Sequence, residues 1–305
     1  MEKNNSVVYE EKKNFNADED EFSSKGQSLW KAVWIRLKRN KAAMLGLYML
    51  LVLIFCSIFA NVIAPYGPDD QLLSRRFIPP SSAHIFGTDN LGRDIFSRVL
   101  YGSRISLLVG FVSVSISAAV GTLLGAISGF YGGNTDNIIM RFIDIMMAIP
   151  RILLAISIAA TLGQGLTNVM IAVGIGSIPG YARIVRASIL SVKEQEYVEA
   201  AKAIGTSDSR IILKHILPNC MAPIIVQATM SVATSILSAS SLSFIGLGVQ
   251  PPTPEWGSML SAGRAYIRDQ WYIVTFPGLA IMYTIFSINL FGDGLRDALD
   301  PRLKN

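Results

Sequence analysis

Long apolar segments without charged residues dominate the pattern of hydrophobic and polar positions along this chain. They cover residues 42–64, 105–135, about 137–161, about 168–190, about 218–246 and about 271–291, with charges only in the third and fourth. An α-helix needs about 20 apolar residues to cross the ~30 Å hydrocarbon core of a bilayer. The pattern therefore predicts an all-α integral membrane protein with six transmembrane helices.

Composition agrees with a membrane protein and argues against an enzyme. Hydrophobic residues make up 51% of the chain and charged residues 16%, against about 25% charged residues in ordinary soluble domains. The cysteines, Cys56 and Cys220, are far apart, and His84 and His215 are the two histidines. These few residues offer no zinc-ligand spacing, so neither a metal site nor catalysis is expected of this chain.

The distribution of Lys and Arg predicts that both termini are cytoplasmic. These residues are most frequent before the first span, around the segment that joins the fourth and fifth spans, and after the sixth span. Such an excess is typical of the cytoplasmic side. Residues 1–29 are polar with acidic clusters and are predicted to be a disordered cytoplasmic tail. In residues 30–41, tryptophans and aliphatic residues are mixed with basic residues. This pattern favours an interfacial helix over an extended linker.

The rest of the chain divides at the charged segments. Residues 65–104 are predicted to be an outer loop. Residues 105–295 are predicted to form a core with five transmembrane helices, followed by a cytoplasmic tail at 296–305.

Two features inside the core suggest specific contacts. Gly121, Gly125 and Gly129 recur every four residues, so they share one helix face and allow close helix packing. Arg141 and Asp144 are three residues apart in the third span and can form an ion pair.

The cytoplasmic segment at about 191–217 has the pattern of a helix, a tight turn and a second helix. Residues 194–204 are good helix formers, and Gly205 can end this helix in the left-handed conformation. Ser207 can cap the second helix, and Pro218 opens the fifth span. Alanines keep the first helix slender, so it could fit into a groove of another protein. A solvated helix without a partner is the alternative.

The same segment resembles the EAA motif of ATP-binding-cassette importer permeases. The motif has Glu-Ala-Ala, three residues, Gly, nine residues and Ile-x-Leu-Pro. The matching residues here are Glu199, Ala200, Ala201, Gly205, Leu217 and Pro218. His215 stands where the motif has Ile, a departure that bears on how the second helix packs.

The resemblance extends over most of the chain. FGTDNLGRDIFSRVLYGSRISLL, GFYGGNTDNIIMRFIDIMMAIP, QPPTPEWGSML and FPGLAIMYTIFSINLFGDGLRDALDPRLK are similar to the C subunits of dipeptide and oligopeptide permeases. This resemblance implies a type I importer permease in the bacterial cytoplasmic membrane. It would pair with a homologous permease, two cytoplasmic ATPases that bind ATP and Mg, and an external solute-binding protein.

The expected function is therefore import of di- or oligopeptides, coupled to the ATPases through the EAA-like segment. The sequence has no G-x-x-x-x-G-K-[ST] pattern, which agrees with ATP hydrolysis by partner subunits. The same importer class carrying nickel chelates or glutathione is an alternative. A transporter driven by an ion gradient is a weaker alternative, because the sequence does not clearly show ionisable residues near the bilayer midplane or internal repeats.

The solute path is not identified by the sequence. Hydroxyl residues are frequent in the fifth span, but such residues more often bond to their own backbone or to a neighbouring helix. The proline-rich segment 246–270, which includes Trp256, is expected to face the solute-binding protein together with parts of residues 74–104. The alternative is that both segments only cap the helix bundle on its outer side.

Overall fold

The computed structural model describes residues 29–299, and these residues form an all-helical protein. In this range the only β contact is an isolated bridge between Thr88 and Asp94. The predicted all-α class is therefore confirmed. The predicted tail at 1–29 lies almost entirely outside the described residues, as does the stretch 300–305 of the predicted C-terminal tail.

The N-terminal part has two helices joined at Asn40. Helix α1 spans Leu29–Arg39 and helix α2 spans Lys41–Ile58. The Asn40 side chain accepts a hydrogen bond from the backbone N–H of Ala43 at 3.1 Å, which caps α2. The interfacial location of α1 remains a prediction. A short helix α3, Ala60–Ile63, follows α2.

Helix α4 spans Ile95–Tyr131 and begins ten residues before the predicted second span, inside the predicted outer loop. Asp94 caps it by accepting from the backbone N–H of Ser97 at 2.8 Å. Arginines suggested a loop here, but Arg98 and Arg104 donate to backbone carbonyls, Arg104 Nε to Ser57 at 2.6 Å. Because these charges have partners, the helix continues through them.

The predicted third span consists of two helices with a sharp bend. Helix α5 spans Gly133–Ala148 and helix α6 spans Arg151–Leu162, and their axes differ by 92°. Pro150 has no backbone N–H and favours an extended preceding residue, and Ile149 is extended (φ −92°, ψ 127°). The predicted third span at about 137–161 is therefore present as a bent pair of helices, broken at Ile149 and Pro150.

Helix α7, Leu166–Val192, packs along α4 through the three predicted glycines. A Cβ at Gly121 would lie 2.4 Å from Cβ of Tyr181, and one at Gly125 2.5 Å from the carbonyl oxygen of Ala182. The corresponding distance from Gly129 to the carbonyl oxygen of Arg186 is 3.1 Å. The prediction of close packing on this face is confirmed.

The C-terminal half has three further helices. Helix α10 spans Met221–Phe244, α11 spans Trp256–Gly263 and α12 spans Tyr272–Leu299. Helix α12 continues past the predicted end of the sixth span, so Asp293 and Arg296 are helical and the predicted tail at 296–305 begins inside the helix.

Within residues 29–299, five helical segments are long and apolar enough to cross a membrane, or six if α5 and α6 count as one bent span. This number agrees with the six spans predicted from the sequence.

Candidate coupling surface

A short helix between α7 and α10 carries the first part of the EAA-like motif. Helix α8 spans Glu196–Ala203. Gly205 has φ +77°, and its N–H donates to the carbonyl of Lys202 at 2.9 Å, while Thr206 N–H donates to Ala201 at 3.1 Å. These two bonds form a Schellman motif, in which a left-handed residue satisfies the last carbonyls of a helix. The predicted helix and its glycine end are confirmed.

One face of α8 is buried against the body of the protein. Val198 and Ala201 are buried and pack in a hydrophobic cluster with Ile189 of α7 and with Ile211 and Ile216 after the turn. This packing fixes the orientation of α8 relative to the spanning helices.

The opposite face of α8 and the turn after it are exposed, and we call this set the coupling surface. It consists of Glu196, Tyr197, Glu199, Ala200, Lys202, Ala203, Ile204 and Gly205. The side chain of Ile204 is 82% exposed and that of Tyr197 43%. Exposed apolar side chains beside a carboxylate, on a helix narrowed by alanine, suit contact with another protein.

The motif residues therefore divide between the two sides of the segment. Glu199, Ala200, Gly205 and Pro218 are exposed, whereas Ala201 is buried and Leu217 is half-buried against the hydrophobic cluster.

The segment from Asp208 to Cys220 is helical, as predicted for the second helix after the turn, and it leads into α10 without a loop. A three-residue turn α9, Asp208–Arg210, continues as a π-helix over Ile211–Ile216 and a 3-10 turn over Leu217–Cys220. Ser207 stands at the start, but its side chain makes no capping hydrogen bond.

The π-helix decides which side chains face the core. Ile211 and Ile216, five residues apart, are both fully buried, as the wider turn of a π-helix allows. His215, the residue that departs from the motif, is half-buried beside them, and its carbonyl accepts from Asn219 Nδ2 at 2.7 Å.

The sequence did not reveal three contacts near α8, of which two reach α4 and the third joins α7 to α5. Lys193 Nζ donates to the carbonyl of Gly129 at 3.1 Å. Lys202 Nζ lies 5.5 Å from the ring centre of Phe130, a cation–π contact. Arg186 of α7 forms a bidentate pair with Asp136 of α5. The sequence shows that Arg186 and Asp136 are opposite charges in or beside apolar spans. It does not indicate which acidic residue pairs with which arginine.

The predicted pairing of Arg141 with Asp144 is wrong. Asp144 Oδ1 accepts from Arg183 Nη2 at 2.6 Å, so it is bound to α7 rather than to its own helix. The packing of α5 beside α7, rather than the spacing along α5, therefore sets the partner of Asp144. Asp136 lies in the first turn of α5 after Gly132 and binds Arg186.

Trp256, expected to face a solute-binding protein, is fully buried. Its Nε1–H donates to the carbonyl of Val99 at 3.0 Å, which binds α11 to α4. The exposed residues of segment 246–270 are Pro251, Pro252, Ala262, Arg264, Ala265, Ile267, Arg268 and Asp269. Contact with a solute-binding protein therefore cannot involve the Trp256 side chain without its displacement.

Glu255 is a buried carboxyl group at the start of α11. Its side chain accepts from the backbone N–H groups of Gly257 at 2.9 Å and Ser258 at 2.8 Å, and its exposed fraction is 2%. Burial raises the pKa of Glu255, although the hydrogen bonds from Gly257 and Ser258 oppose this shift by stabilising the charged form.

The hydroxyl groups of α10 mostly bond to their own helix. Thr229, Thr234, Ser238 and Ser241 donate to carbonyls three or four residues earlier. Their pattern therefore does not by itself mark a solute path.

Comparison with known proteins settles the family. Residues 121–305 match the family described as binding-protein-dependent transport system inner membrane component, and residues 28–80 match the N-terminal TM domain of oligopeptide transport permease C. The chain belongs to the binding-protein-dependent transport system inner membrane components. It is accordingly a multi-pass permease subunit of the inner membrane.

Relatives of this permease cover nearly its whole length. It is 48% identical over 281 residues to the di/tripeptide transport system permease protein of Pseudomonas aeruginosa, which covers 90% of this chain and 93% of the relative. It is 47% identical to the dipeptide transport system permease protein of Alkalihalophilus pseudofirmus, with 94% of each chain covered. It is also 50% identical to the glutathione transport system permease protein of Escherichia coli, over 90% of this chain and 91% of the relative.

The permease also resembles a solved transporter structure in fold. An inward-facing conformation of the MetNI methionine ABC transporter matches with a TM-score of 0.55 and 19% identity, covering 67% of this chain and 96% of the solved chain. This likeness agrees with the predicted type I importer fold.

Proposed function

We propose that this permease imports di- or oligopeptides as one of two membrane subunits of an ATP-binding-cassette importer. Each permease would hold one cytoplasmic ATPase, which binds ATP and Mg, and an external solute-binding protein would deliver the peptide. Both termini would be cytoplasmic, on the side of the coupling surface. The names of two relatives at 48% and 47% identity, which describe di/tripeptide and dipeptide permeases, support the peptide substrate.

The observation that carries the proposal is the construction of the coupling surface. Glu199 and Ala200 are exposed on a helix whose other face is packed into the protein at Val198 and Ala201. Because α8 is anchored in this way, a force applied to its outer face would move α7 and α4 with it. ATP binding could then shift the permease between inward-facing and outward-facing states, provided that the closed ATPases bind one state more tightly than the other.

Glutathione uptake is the second candidate, because a glutathione permease is 50% identical to this chain. Glutathione is itself a small peptide, so the same coupling surface would serve either solute. The family membership leaves the gradient-driven alternative without support, and nickel chelates remain to be tested as substrates.

Uptake by the reconstituted complex tests the proposal. The permease, its partner subunits and the solute-binding protein would be placed in proteoliposomes, and uptake of labelled dipeptide, tripeptide, glutathione and nickel chelate would be compared with and without ATP. ATP-dependent accumulation of di- or tripeptides is expected. Accumulation of glutathione or nickel chelate alone would overturn the peptide assignment.

A further inference from the structure

Arg151 is a cation at the bend between α5 and α6, where it reaches across to α10. Its Nη2 donates to the carbonyl of Thr234 at 3.2 Å and to Oγ of Ser238 at 3.1 Å. It directly follows Pro150, so the bend places it at the first position of α6.

The neighbouring helices place Arg151 near the middle of the membrane. At 1.5 Å per residue, Thr234 lies about 20 Å from the start of α10 and about 15 Å from its end. On α7, a Cβ at Gly176 would lie 3.6 Å from Cγ of Arg151. Gly176 is about 15 Å from the start of α7 and about 24 Å from its end. Both helices thus put the guanidinium far from either end of a span.

This arginine has no carboxylate partner within residues 29–299, where every salt bridge involves other residues. Arg183 and Arg186, the arginines of α7, are by contrast each paired with an aspartate. Both hydrogen bonds of Arg151 leave from Nη2, so Nε and Nη1 remain for a further acceptor.

The surroundings of Arg151 are apolar, yet it does not extend toward a membrane surface. Ile149, Ile152 and Leu153 beside it are exposed hydrophobic side chains, and Arg151 itself is exposed in this subunit. A charged residue at the centre of a bilayer costs about 2.5–3.5 kcal/mol on insertion scales and normally faces a bundle interior or a water-filled cavity. Its attachment to α10 therefore marks this face of the subunit as lining an aqueous space.

We propose that Arg151 binds a carboxylate of the transported solute as the solute passes between the two permease subunits. A guanidinium with uncommitted N–H groups matches the geometry of a carboxylate, which it can bind with two parallel hydrogen bonds. Every peptide with an unmodified C-terminus supplies such a group. This inference rests on the proposed peptide transport and adds a recognition residue inside the membrane.

The test compares a peptide acid with its C-terminal amide in the reconstituted complex. Each peptide is supplied at a concentration that saturates the solute-binding protein, determined for that peptide by calorimetry, so that differences arise after delivery. For Arg151→Gln, the maximal transport rate of the peptide acid is expected to fall about 10-fold. The rate for the amide should change little, and Arg151→Lys should recover part of the rate for the acid.

Arg183→Gln is the matched control, because it also removes an arginine from a spanning helix, but one whose charge is already paired with an aspartate. This variant should affect the acid and the amide equally. If Arg151→Gln lowers the transport rates of the acid and the amide equally, the partner of Arg151 is a group of the protein and the inference is wrong. The same holds if the variant loses the second permease during purification. If the wild-type complex transports neither peptide, the proposed function fails together with the inference.

Discussion

Arg186 donates from Nε and Nη2 to the two carboxylate oxygens of Asp136, each at 2.6 Å. Ser128, near the end of α4, donates to the same carboxylate. The three residues join α4, α5 and α7 beside Lys193. Lys193 itself bonds to α4 and lies shortly before the start of α8. Motion of α8 would therefore be passed to three helices through one charged junction.

Loss of this junction should loosen the end of the helix bundle that carries α8. Asp136→Asn leaves the partly buried Arg186 without its charge partner. We expect the free energy of unfolding to fall by about 1–3 kcal/mol, which lies between the losses typical of exposed and of buried ion pairs. The melting temperature of the purified complex is expected to fall by several degrees. Asp144→Asn is the control, because the Asp144 and Arg183 side chains are about half exposed and their pair is worth at most about 1 kcal/mol. Equal losses for the two variants would contradict the structural role of the junction.

Gly205 should be replaceable only by residues that tolerate its backbone conformation. A Cβ at this position would meet no atom within 4 Å, so the constraint is φ +77° and not space. Gly205→Val would cost on the order of 1–3 kcal/mol locally and distort the turn after α8. We expect loss of peptide-stimulated ATP hydrolysis with docking of the solute-binding protein unchanged. Asparagine tolerates the left-handed region, so Gly205→Asn should retain most activity. Normal uptake by the valine variant would show that the turn is not needed for coupling.

Two adjacent alanines in α8 provide a matched pair for testing the coupling surface. Ala200 is exposed, whereas Ala201 is 6% exposed and lies in the hydrophobic cluster. Ala200→Leu should leave thermal stability unchanged and reduce ATP hydrolysis stimulated by the loaded binding protein. Ala201→Leu should lower stability by about 1–3 kcal/mol because it overpacks the cluster. Both properties are measured on the same preparations, and wild-type hydrolysis by Ala200→Leu would argue against ATPase contact at this face.

Glu255, at the start of α11, predicts a pH dependence of stability. Because burial raises its pKa, the protonated form is favoured in the folded state. The resulting stabilisation is complete below the pKa of an unfolded glutamate, about 4.3, and is lost as the pH rises through the higher folded value. The melting temperature of Glu255→Gln relative to wild type should therefore increase as the pH is raised from 5 to 8. The exposed Asp269→Asn controls for general charge effects; a difference that stays constant with pH would contradict the prediction for Glu255.

Local sequence signals were sufficient for the coupling segment. Helix formers followed by Gly205 predict α8 and its end, because a left-handed glycine terminates a helix without help from distant residues. The four-residue spacing of Gly121, Gly125 and Gly129 likewise predicts a packing face, since the helix period alone sets which residues align.

Features that depend on distant partners could not be predicted in this way. The start of α4 at Ile95 depends on carbonyl partners for Arg98 and Arg104 that lie elsewhere in the chain. The pairing of Asp144 with Arg183 depends on how α5 and α7 pack. Trp256 was expected to be exposed because it lies in a proline-rich segment between spans, but α11 folds back and buries it against α4.

The most direct test of the central claim is to tag this permease in its native membrane, purify it in mild detergent and identify the proteins that accompany it. The account predicts a second permease and two ATPases, with ATP hydrolysis stimulated by a peptide-loaded binding protein, and loss of the ATPases when Ala200 is replaced by leucine. A chain that purifies alone or only with itself, from membranes that still transport peptide, would contradict the proposed coupling through α8.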